Sequence, residues 1–324
     1  MIDRDNWKLA KAYLAYLAEV KQLDPGTISS AQTSLRYVLE WADEAPFAKA
    51  PEIRPTFPRY LAERISSASV ELACGTARRF FHWLRLSNKR IGKSVTELWT
   101  ETLAKPRIGS EVKQYNEYTL DEVYSLMSVA PSSIRMKRDQ AAIAFLFLSG
   151  MRIGAFSSMP IAAVDLDSLS VKQWPALGVR TKLKKKATTF LLDIKDLLKI
   201  VRAYDHLVRG QLPDDAFWYA PFDVPTDMLL PATAGVVRGT RFKEGMRQLC
   251  DLAGVDYRSP HHLRHGFAVY GLKNARDIAD MEAVSKNLMH SSLTITLKIY
   301  AVLQEGDVKA RIVNLGRNNN EVTG

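Results

Sequence analysis

The sequence is poor in cysteine and has no long apolar run. Cys74 and Cys250 are the only cysteines among 324 residues, and they lie far apart without metal-ligand spacing. A disulfide framework is therefore not expected, and a reducing cytoplasmic compartment is favoured. The chain begins with Asp3, Arg4 and Asp5 and lacks the apolar stretch of a signal peptide, so export is not expected. Composition likewise excludes a membrane span and a disordered or collagen-like chain.

Acidic residues are outnumbered, because 45 Lys and Arg oppose 35 Asp and Glu and leave a formal net charge of +10. Contacts of Lys and Arg with phosphate release condensed counterions and dominate nucleic-acid affinity, so this charge predicts a polyanionic partner. A membrane surface is the weaker alternative, since no basic amphipathic segment and no lipidation motif stands out. The length predicts two domains, each large enough to bury its own core.

Helical periodicity dominates the first third of the chain. Apolar residues recur at three- and four-residue spacing from Trp7 to about Leu103, which predicts a helical N-terminal domain over residues 1–103. One segment and its continuation interleave basic residues with aromatic ones. Two interpretations stay open, a solvated basic face opposite an aromatic core face or direct phosphate contact. The candidate DNA contacts in this segment are Arg78, Arg79, Arg85, Lys89 and Arg90.

A polar, aperiodic stretch over residues 104–115 predicts a linker, and a second domain is expected over residues 116–303. Thr119 and Glu122 form a capping box at its start, and the all-apolar residues 141–148 predict a buried helix that ends at Gly150. Short β-branched segments predict a small antiparallel sheet. The expected strands are residues 164–174, 179–183 and 188–194. Helices are expected over residues 197–208, 241–252, 262–272, 281–288 and 293–303.

The fold class expected from these patterns is mainly α with a small antiparallel sheet. After the last predicted helix comes a C-terminal segment, residues 304–324. Its apolar residues allow a short helix that either docks on a neighbouring protomer or folds back on its own subunit.

The segment Ser-Pro-His-His-Leu-Arg-His at residues 259–265 carries the most chemistry. We expect Ser259 to cap a helix that starts at Pro260, which places His261 and Arg264 on one face near the helix N-terminus. An imidazole and a guanidinium at this spacing can address one anionic group. A zinc site through His261 and His265 is a weaker alternative, because the HExxH glutamate and a third ligand are lacking. Histidines that merely bond backbone groups are the bland alternative.

Two further segments carry candidate residues. Arg152 follows the apolar helix and Gly150, and a partly buried arginine at such a place implies an anionic partner, which could be an internal carboxylate. His290 precedes Ser291 and Ser292, either of which can cap a helix that carries Tyr300. A lone tyrosine is more often a core or interface residue.

Taken together, the order Arg152, His261-x-x-Arg264, His290 and Tyr300 resembles the tyrosine recombinase (phage integrase) family. The phrases Ser-Gly-Met-Arg-Ile-Gly and His-His-Leu-Arg-His-Gly resemble its signatures over roughly residues 115–303. The N-terminal half is similar only in helical pattern and basic character. The resemblance implies a helical core-binding domain and a mixed α/β catalytic domain that clamp double-stranded DNA. It also implies four protomers acting on two recombination sites, with accessory DNA-bending proteins as possible partners and no membrane partner.

The resemblance also implies a role for each residue. Tyr300 would attack the scissile phosphate and hold the DNA 3′ end as a phosphotyrosine. Arg152 and Arg264 would neutralise the non-bridging oxygens, so no cofactor, metal or ATP is required. His261 would assist proton transfer or orient the phosphate, and His290 would donate a hydrogen bond to a non-bridging oxygen.

The family resemblance assigns the protonation of the leaving 5′ oxygen to a lysine in a β-hairpin. The matching lysine-rich segment lies between two predicted strands, with Lys182 as the first candidate and Lys184 as the second. A solvated turn that touches backbone phosphates is the alternative for the whole run. Lys184, Lys185 and Lys186 are therefore candidate DNA contacts.

The sequence departs from the family pattern twice. Ala155 stands where an acidic residue is common, and Met289 stands where a glycine is common before the later histidine. Asp165 or Asp167 could supply the missing carboxylate, or either could be a turn residue. Two other functions stay open, a type IB-like topoisomerase and a non-catalytic DNA-binding regulator. Integration, excision and resolution of a mobile element are not distinguished, and a cytoplasmic protein that joins the nucleoid when bound to DNA is expected.

Overall fold

A computed structural model describes residues 2–106, 116–234, 239–290 and 292–294. The chain divides into two compact units, Met1–Val112 and Lys113–Gly324, each with its own apolar core. The division falls inside the stretch predicted as a linker, residues 104–115. None of the helices in the described ranges is both long and apolar enough to cross a membrane.

The first unit is helical, as predicted. Four of its helices begin at N-cap residues of the types that favour this position. Their side chains each accept a backbone N–H in the first turn of the helix that follows, and the caps are Asp3, Asp24, Ser66 and Thr96. Aromatic rings fill the centre, and the Phe47 ring centroid lies 5.4 Å from that of Phe80. The helices are α1 (Arg4–Ala15), α2 (Pro25–Ala42), α3 (Phe57–Ala62), α4 (Ser67–Ser87), α5 (Lys89–Gly92) and α6 (Glu97–Glu101).

The second unit is built around one buried helix, α8. This helix contacts four others, and its residues from Arg138 to Ser149 are buried, as the apolar run predicts. The Thr119 and Glu122 capping box is present. The helices of this unit are α7 (Leu120–Ser128), α8 (Ile134–Ser149), α9 (Ile153–Phe156), α10 (Lys195–Gln211), α11 (Gly239–Ala253), α12 (His261–Lys273) and α13 (Ile278–Asn287).

Gly150 ends α8, also as predicted, and the reason is visible in its backbone. Its φ is +62°, in the left-handed region that favours glycine, and a Cβ at this position would lie 2.5 Å from Cδ1 of Phe267. Gly266, in α12, meets a similar limit, since a Cβ there would lie 2.2 Å from the carbonyl oxygen of Tyr118. Both glycines let α12 pack closely against the residues around it.

The sheet is antiparallel, as expected, but its strands are shorter and differently bounded. Its order is β1 (Val164–Asp165), β2 (Ser170–Gln173) and β3 (Ala187–Phe190). The prediction of one strand over residues 164–174 is wrong, because Asp165 Oδ1 accepts the N–H groups of Asp167 and Ser168 and turns the chain. The expected strand over residues 179–183 is also wrong. There the Arg180 N–H donates to Ser158 Oγ and the backbone enters a 3-10 turn.

The last helices differ from expectation in detail. Helix α12 begins at His261 with Pro260 at the cap position, one residue later than predicted, and the His262 N–H bonds the Ser259 carbonyl rather than its hydroxyl. Helix α13 ends before Met289, which has a φ of +54° where the family commonly has glycine. Most of the helix predicted over residues 293–303, the segment 304–324, Ser291 and Tyr300 lie outside the described residues.

Candidate active site

Arg264 lies at the centre of the candidate site. It is only 3% exposed, and its Nη1 donates to the carbonyl oxygen of Gly150 at 2.7 Å. Its Nη2 donates to the Leu288 carbonyl and lies 3.1 Å from Nε2 of His290. The guanidinium therefore joins the end of α8 to the turn that carries His290. These bonds fix the planar fork in one orientation.

Arg152 comes two residues after Gly150 and takes extended backbone angles ahead of the short helix α9. It is partly buried. Its charge contributes to lowering the pKa of both His261 and His290, which places it near both imidazoles. Arg152, His261, Arg264 and His290, predicted from three separate segments, are thus brought together.

Both candidate histidines are held in their neutral forms. The pKa of His290 is lowered to about 4, chiefly by burial and then by the charges of Arg264 and Arg152. Burial also lowers the pKa of His261, and Arg264, His262 and Arg152 lower it further. In the arrangement where His290 Nε2 accepts from Arg264, the ring proton lies on Nδ1 and can be donated. Neutral imidazoles suit proton transfer and hydrogen bonding near neutral pH.

The two remaining histidines of the motif have structural contacts. His265 is 9% exposed, and its ring centroid lies 4.5 Å from that of His261. His262 Nδ1 lies 2.6 Å from the carbonyl oxygen of Asn116. Across the described ranges, no group of three His, Cys, Asp or Glu side chains could hold a metal ion.

A clasp around Arg258, which the sequence analysis missed, holds the loop before His261. Arg258 Nη1 donates to Asn116 Oδ1 and to the Glu117 carbonyl, each at 2.7 Å, and its Nη2 pairs with Glu122. The backbone N–H of Arg258 donates to the Tyr118 hydroxyl at 2.7 Å. Glu122 also closes the capping box with Thr119, and the sequence alone does not reveal that the same carboxylate pairs with Arg258.

The lysine-rich segment lies on the connection between β2 and β3. Lys182 and Lys184 bound a 3-10 turn, and both are exposed, as are Lys185 and Lys186. Lys184 has a φ of +52°, and the Lys186 ammonium lies 4.1 Å from the Trp174 ring centroid. The contacts of these side chains do not distinguish Lys182 from Lys184 as the proton donor.

The structure shows the surroundings of Ala155 and of the two aspartates considered as substitutes for the missing carboxylate. Ala155 is buried beside Phe156 in the apolar core, so an acidic side chain at this position would lose its hydration. Asp165 holds the turn between β1 and β2, which is the structural role considered for it, and Asp167 is exposed in the same turn.

The basic residues of the first unit fall into two groups. Arg78 Nη2 donates to the Leu103 carbonyl at 3.1 Å, and Arg85 Nη2 lies 3.2 Å from the Glu97 carboxylate, so both bind the region of α6. Arg79, Lys89 and Arg90 are exposed. Both interpretations of this segment therefore find residues that fit them.

Known proteins resemble this chain in sequence and fold. The model of the phage integrase family matches residues 117–306. Tyrosine recombinase XerC of Roseiflexus sp. (strain RS-1) is 27% identical over 301 residues, covering 88% of this chain and 86% of the relative. XerC of Yersinia pestis is 27% identical over 309 residues, covering 90% of this chain and 89% of the relative.

Two solved structures share the fold at 14% sequence identity. The Tn1549 transposon integrase in complex with circular intermediate DNA gives a TM-score of 0.61 and covers 94% of this chain and 98% of that chain. A lambda integrase dimer bound to a COC′ core site gives 0.59 and covers 90% and 93%. Because the family model matches more than half of its length, the protein belongs to the phage integrase family of tyrosine recombinases and is a site-specific DNA recombinase.

Proposed function

We propose that this recombinase cleaves and rejoins one DNA strand at a time, with Tyr300 as the nucleophile and a 3′-phosphotyrosyl intermediate. The observation that carries the proposal is the convergence of two arginines and two neutral histidines from three distant segments on one place. Arg264 Nη2 lies 3.1 Å from His290 Nε2, and Arg152 and Arg264 both lower the pKa of His261. Such a cluster suits a phosphate whose negative charge grows during the reaction.

Each group then has a defined task in phosphoryl transfer. The Tyr300 oxygen attacks the phosphorus while the bond to the 5′ oxygen breaks, so a phosphodiester is exchanged for a phosphotyrosine of similar energy. Arg152 and Arg264 neutralise the non-bridging oxygens, and His290 donates to one of them. His261 takes part in proton transfer at the nucleophile. Lys182, or Lys184 as the second candidate, gives the leaving 5′ oxygen its proton.

The partner we propose is double-stranded DNA, bound as four protomers on two sites of a mobile element. The net charge of +10 supports a phosphate-rich partner. The Tn1549 and lambda integrases, which share this fold, were both solved on DNA. Exposed Arg79, Lys89 and Arg90 would contact backbone phosphates in the first unit, and Lys184, Lys185 and Lys186 would do so in the second. The protein would then work at the nucleoid, with accessory bending proteins as possible helpers.

The nucleophile is tested with a duplex selected for specific binding and nicked close to the scissile phosphate. Cleavage releases a short fragment with a free 5′ hydroxyl, which diffuses away and prevents rejoining. Denaturing electrophoresis should show a covalent protein–DNA band for the wild type and none for Tyr300→Phe. Tyr124→Phe, on α7, is the matched control and should keep the band.

Other results would redirect the interpretation. Binding without any adduct would contradict the proposal and favour a DNA-binding regulator. Relaxation of a supercoiled plasmid that lacks a specific site would favour a type IB-like topoisomerase. A band that survives in Tyr300→Phe would show that another residue is the nucleophile.

A further inference from the structure

The side-chain amide of Asn287 joins three segments of the candidate site. Its Oδ1 accepts the N–H of Phe190 at 2.7 Å, and its Nδ2 donates to the carbonyl oxygens of Phe190 at 3.0 Å and Ser149 at 3.1 Å. Asn287 is the last residue of α13 and lies three residues before His290. One amide group thus satisfies three backbone groups on two different elements.

The contact with Phe190 closes the free edge of the sheet. Strand β3 pairs with β2 on one side, where Phe190 lies opposite Ser170, and β3 is an edge strand of the three-stranded sheet. The Phe190 N–H and carbonyl both bond the Asn287 amide, which therefore takes the place that a further strand would fill. The edge that follows the lysine-rich connection is held by this side chain.

The contact with Ser149 ties the same amide to the end of α8. The last carbonyls of a helix have no partner inside the helix and need donors from elsewhere. Leu148 receives the Leu192 N–H at 2.9 Å, Ser149 receives the Asn287 amide, and Gly150 receives Arg264. Three successive carbonyls therefore anchor the segment that follows β3, the end of α13 before His290, and Arg264.

We propose that Asn287 is a positioning residue for strand cleavage, and that it acts by holding the lysine-rich connection in register with the arginines. This inference rests on the proposed function. Arg264 makes its bonds to Gly150 and Leu288 with its own guanidinium, so loss of the Asn287 amide removes neither of them. The outer edge of β3 at Phe190 does depend on it. Loss of the amide should therefore slow the transfer of a proton from the lysine to the leaving 5′ oxygen.

The decisive variant is Asn287→Asp, which keeps the shape of the side chain but replaces both amide donors with an acceptor. The carboxylate would face the carbonyl oxygens of Phe190 and Ser149. Asn274→Asp is the matched control, because Asn274 makes a bond to the Tyr270 carbonyl within α12 and its C-cap. Thermal melting of both variants confirms that each is folded.

The cleavage assay compares an ordinary nicked duplex with one in which sulfur replaces the bridging 5′ oxygen. A thiolate leaves without first gaining a proton, so sulfur removes the need for an acid. We expect Asn287→Asp to slow cleavage about 10-fold on the oxygen substrate and to cleave the sulfur substrate at nearly the wild-type rate. Equal slowing on both substrates, or no slowing on either, would overturn the proposal.

A second measurement needs no DNA and separates this inference from the proposed function. Hydrogen exchange of residues 182–190 should become about 10-fold faster in Asn287→Asp, while that of α10 stays unchanged. Unchanged exchange over residues 182–190 would overturn the role of Asn287 even if the wild type cleaves DNA. A wild type that forms no adduct on either substrate would instead defeat the proposed function, and the exchange result would still decide whether Asn287 holds the connection.

Discussion

Two of the groups that hold Arg264 orient its charge without cancelling it. The carbonyl oxygens of Gly150 and Leu288 carry no formal charge, so these bonds fix the guanidinium and leave its positive field in place. That field helps to lower the pKa values of His261, His265 and His290. A fixed cation beside neutral imidazoles can then attract a phosphate while the rings keep their hydrogen-bonding ability.

The histidine cluster predicts a loss of stability in mild acid. The pKa of His265 falls from 6.5 to about 4 in the folded protein, chiefly through burial, so the unfolded chain binds a proton that the folded chain does not. Stability from this residue is complete above pH 6.5 and is lost as the pH falls towards 4. Between pH 6.5 and 5 we expect His265 alone to lower the free energy of unfolding by about 2 kcal/mol.

Urea denaturation at a series of pH values measures this effect. His265→Gln should reduce the pH dependence in that range and leave the part that comes from His290, whose pKa is also lowered to about 4. His206→Gln, on an exposed face of α10, should keep the wild-type dependence. A His265→Gln variant with the same slope as the wild type would show that His265 is not the group responsible.

The C-terminal end of α8 organises the candidate site. Gly150 allows the helix to stop with its last carbonyls open, and donors from Leu192 after β3, from α13 and from α12 fill them in turn. One donor, Arg264, is itself a proposed site residue, and another, Asn287, lies three residues before His290. The unsatisfied carbonyls of one helix end thereby hold together parts of the chain that are more than a hundred residues apart.

We therefore expect Gly150→Ala to be damaging. Alanine would adopt a φ of +62° at a cost, and its Cβ would lie 2.5 Å from Phe267. Together the strain and the overlap should lower the free energy of unfolding by about 2 kcal/mol or more. Gly154→Ala is the matched control, because a Cβ at Gly154 meets nothing within 4 Å.

Chemical denaturation of the two variants checks this expectation. Gly154→Ala should remain within about 0.5 kcal/mol of the wild type, as for an exposed substitution without overlap. Equal stability of the Gly150→Ala and Gly154→Ala variants would show that the turn after α8 tolerates a side chain and does not depend on glycine.

At the level of the whole molecule, charge is the property that bears most on DNA binding. The formal charge of +10 is not spread over equivalent residues, because some arginines are already engaged within the first unit. Arg85 pairs with Glu97, while Arg79, Lys89 and Arg90 are exposed. Arg79 also donates to the Thr76 hydroxyl at 3.1 Å, a neutral partner that leaves its charge uncompensated by this bond. An exposed cation can release a counterion from DNA, and a paired one contributes less.

The salt dependence of DNA affinity should separate these groups. Replacing Arg79, Lys89 or Arg90 with Ala should each reduce the slope of log affinity against log salt concentration by about 0.9, the value for one lost phosphate contact. Arg85→Ala should change the slope less and the melting temperature more. Fluorescence anisotropy titrations between low and physiological salt measure the slope, and equal slopes for all four variants would contradict this division.

Sequence patterns were enough to predict the helical first half, the buried helix that ends at Gly150, the capping box at Thr119 and the family of the protein. These features are local or lie in short motifs, so helical periodicity, caps and residue order are enough to reveal them. Strand boundaries were predicted less well. Asp165 accepts two backbone N–H groups and turns the chain inside one predicted strand. The β-branched residues nearby indicate a strand and do not reveal this turn.

The hydrogen bonds that hold the site join residues far apart in the chain, so they could not be predicted from the sequence. Arg264 bonds His290 and Gly150 across 26 and 114 residues, and Asn287 bonds Ser149 and Phe190 across 138 and 97 residues. The sequence places no mark on Asn287 or Arg258, because their partners are backbone groups and side chains brought close only by folding. The motifs indicate which residues carry the chemistry. Their positions depend on folding, because the open carbonyls at the end of α8 must find donors in other segments.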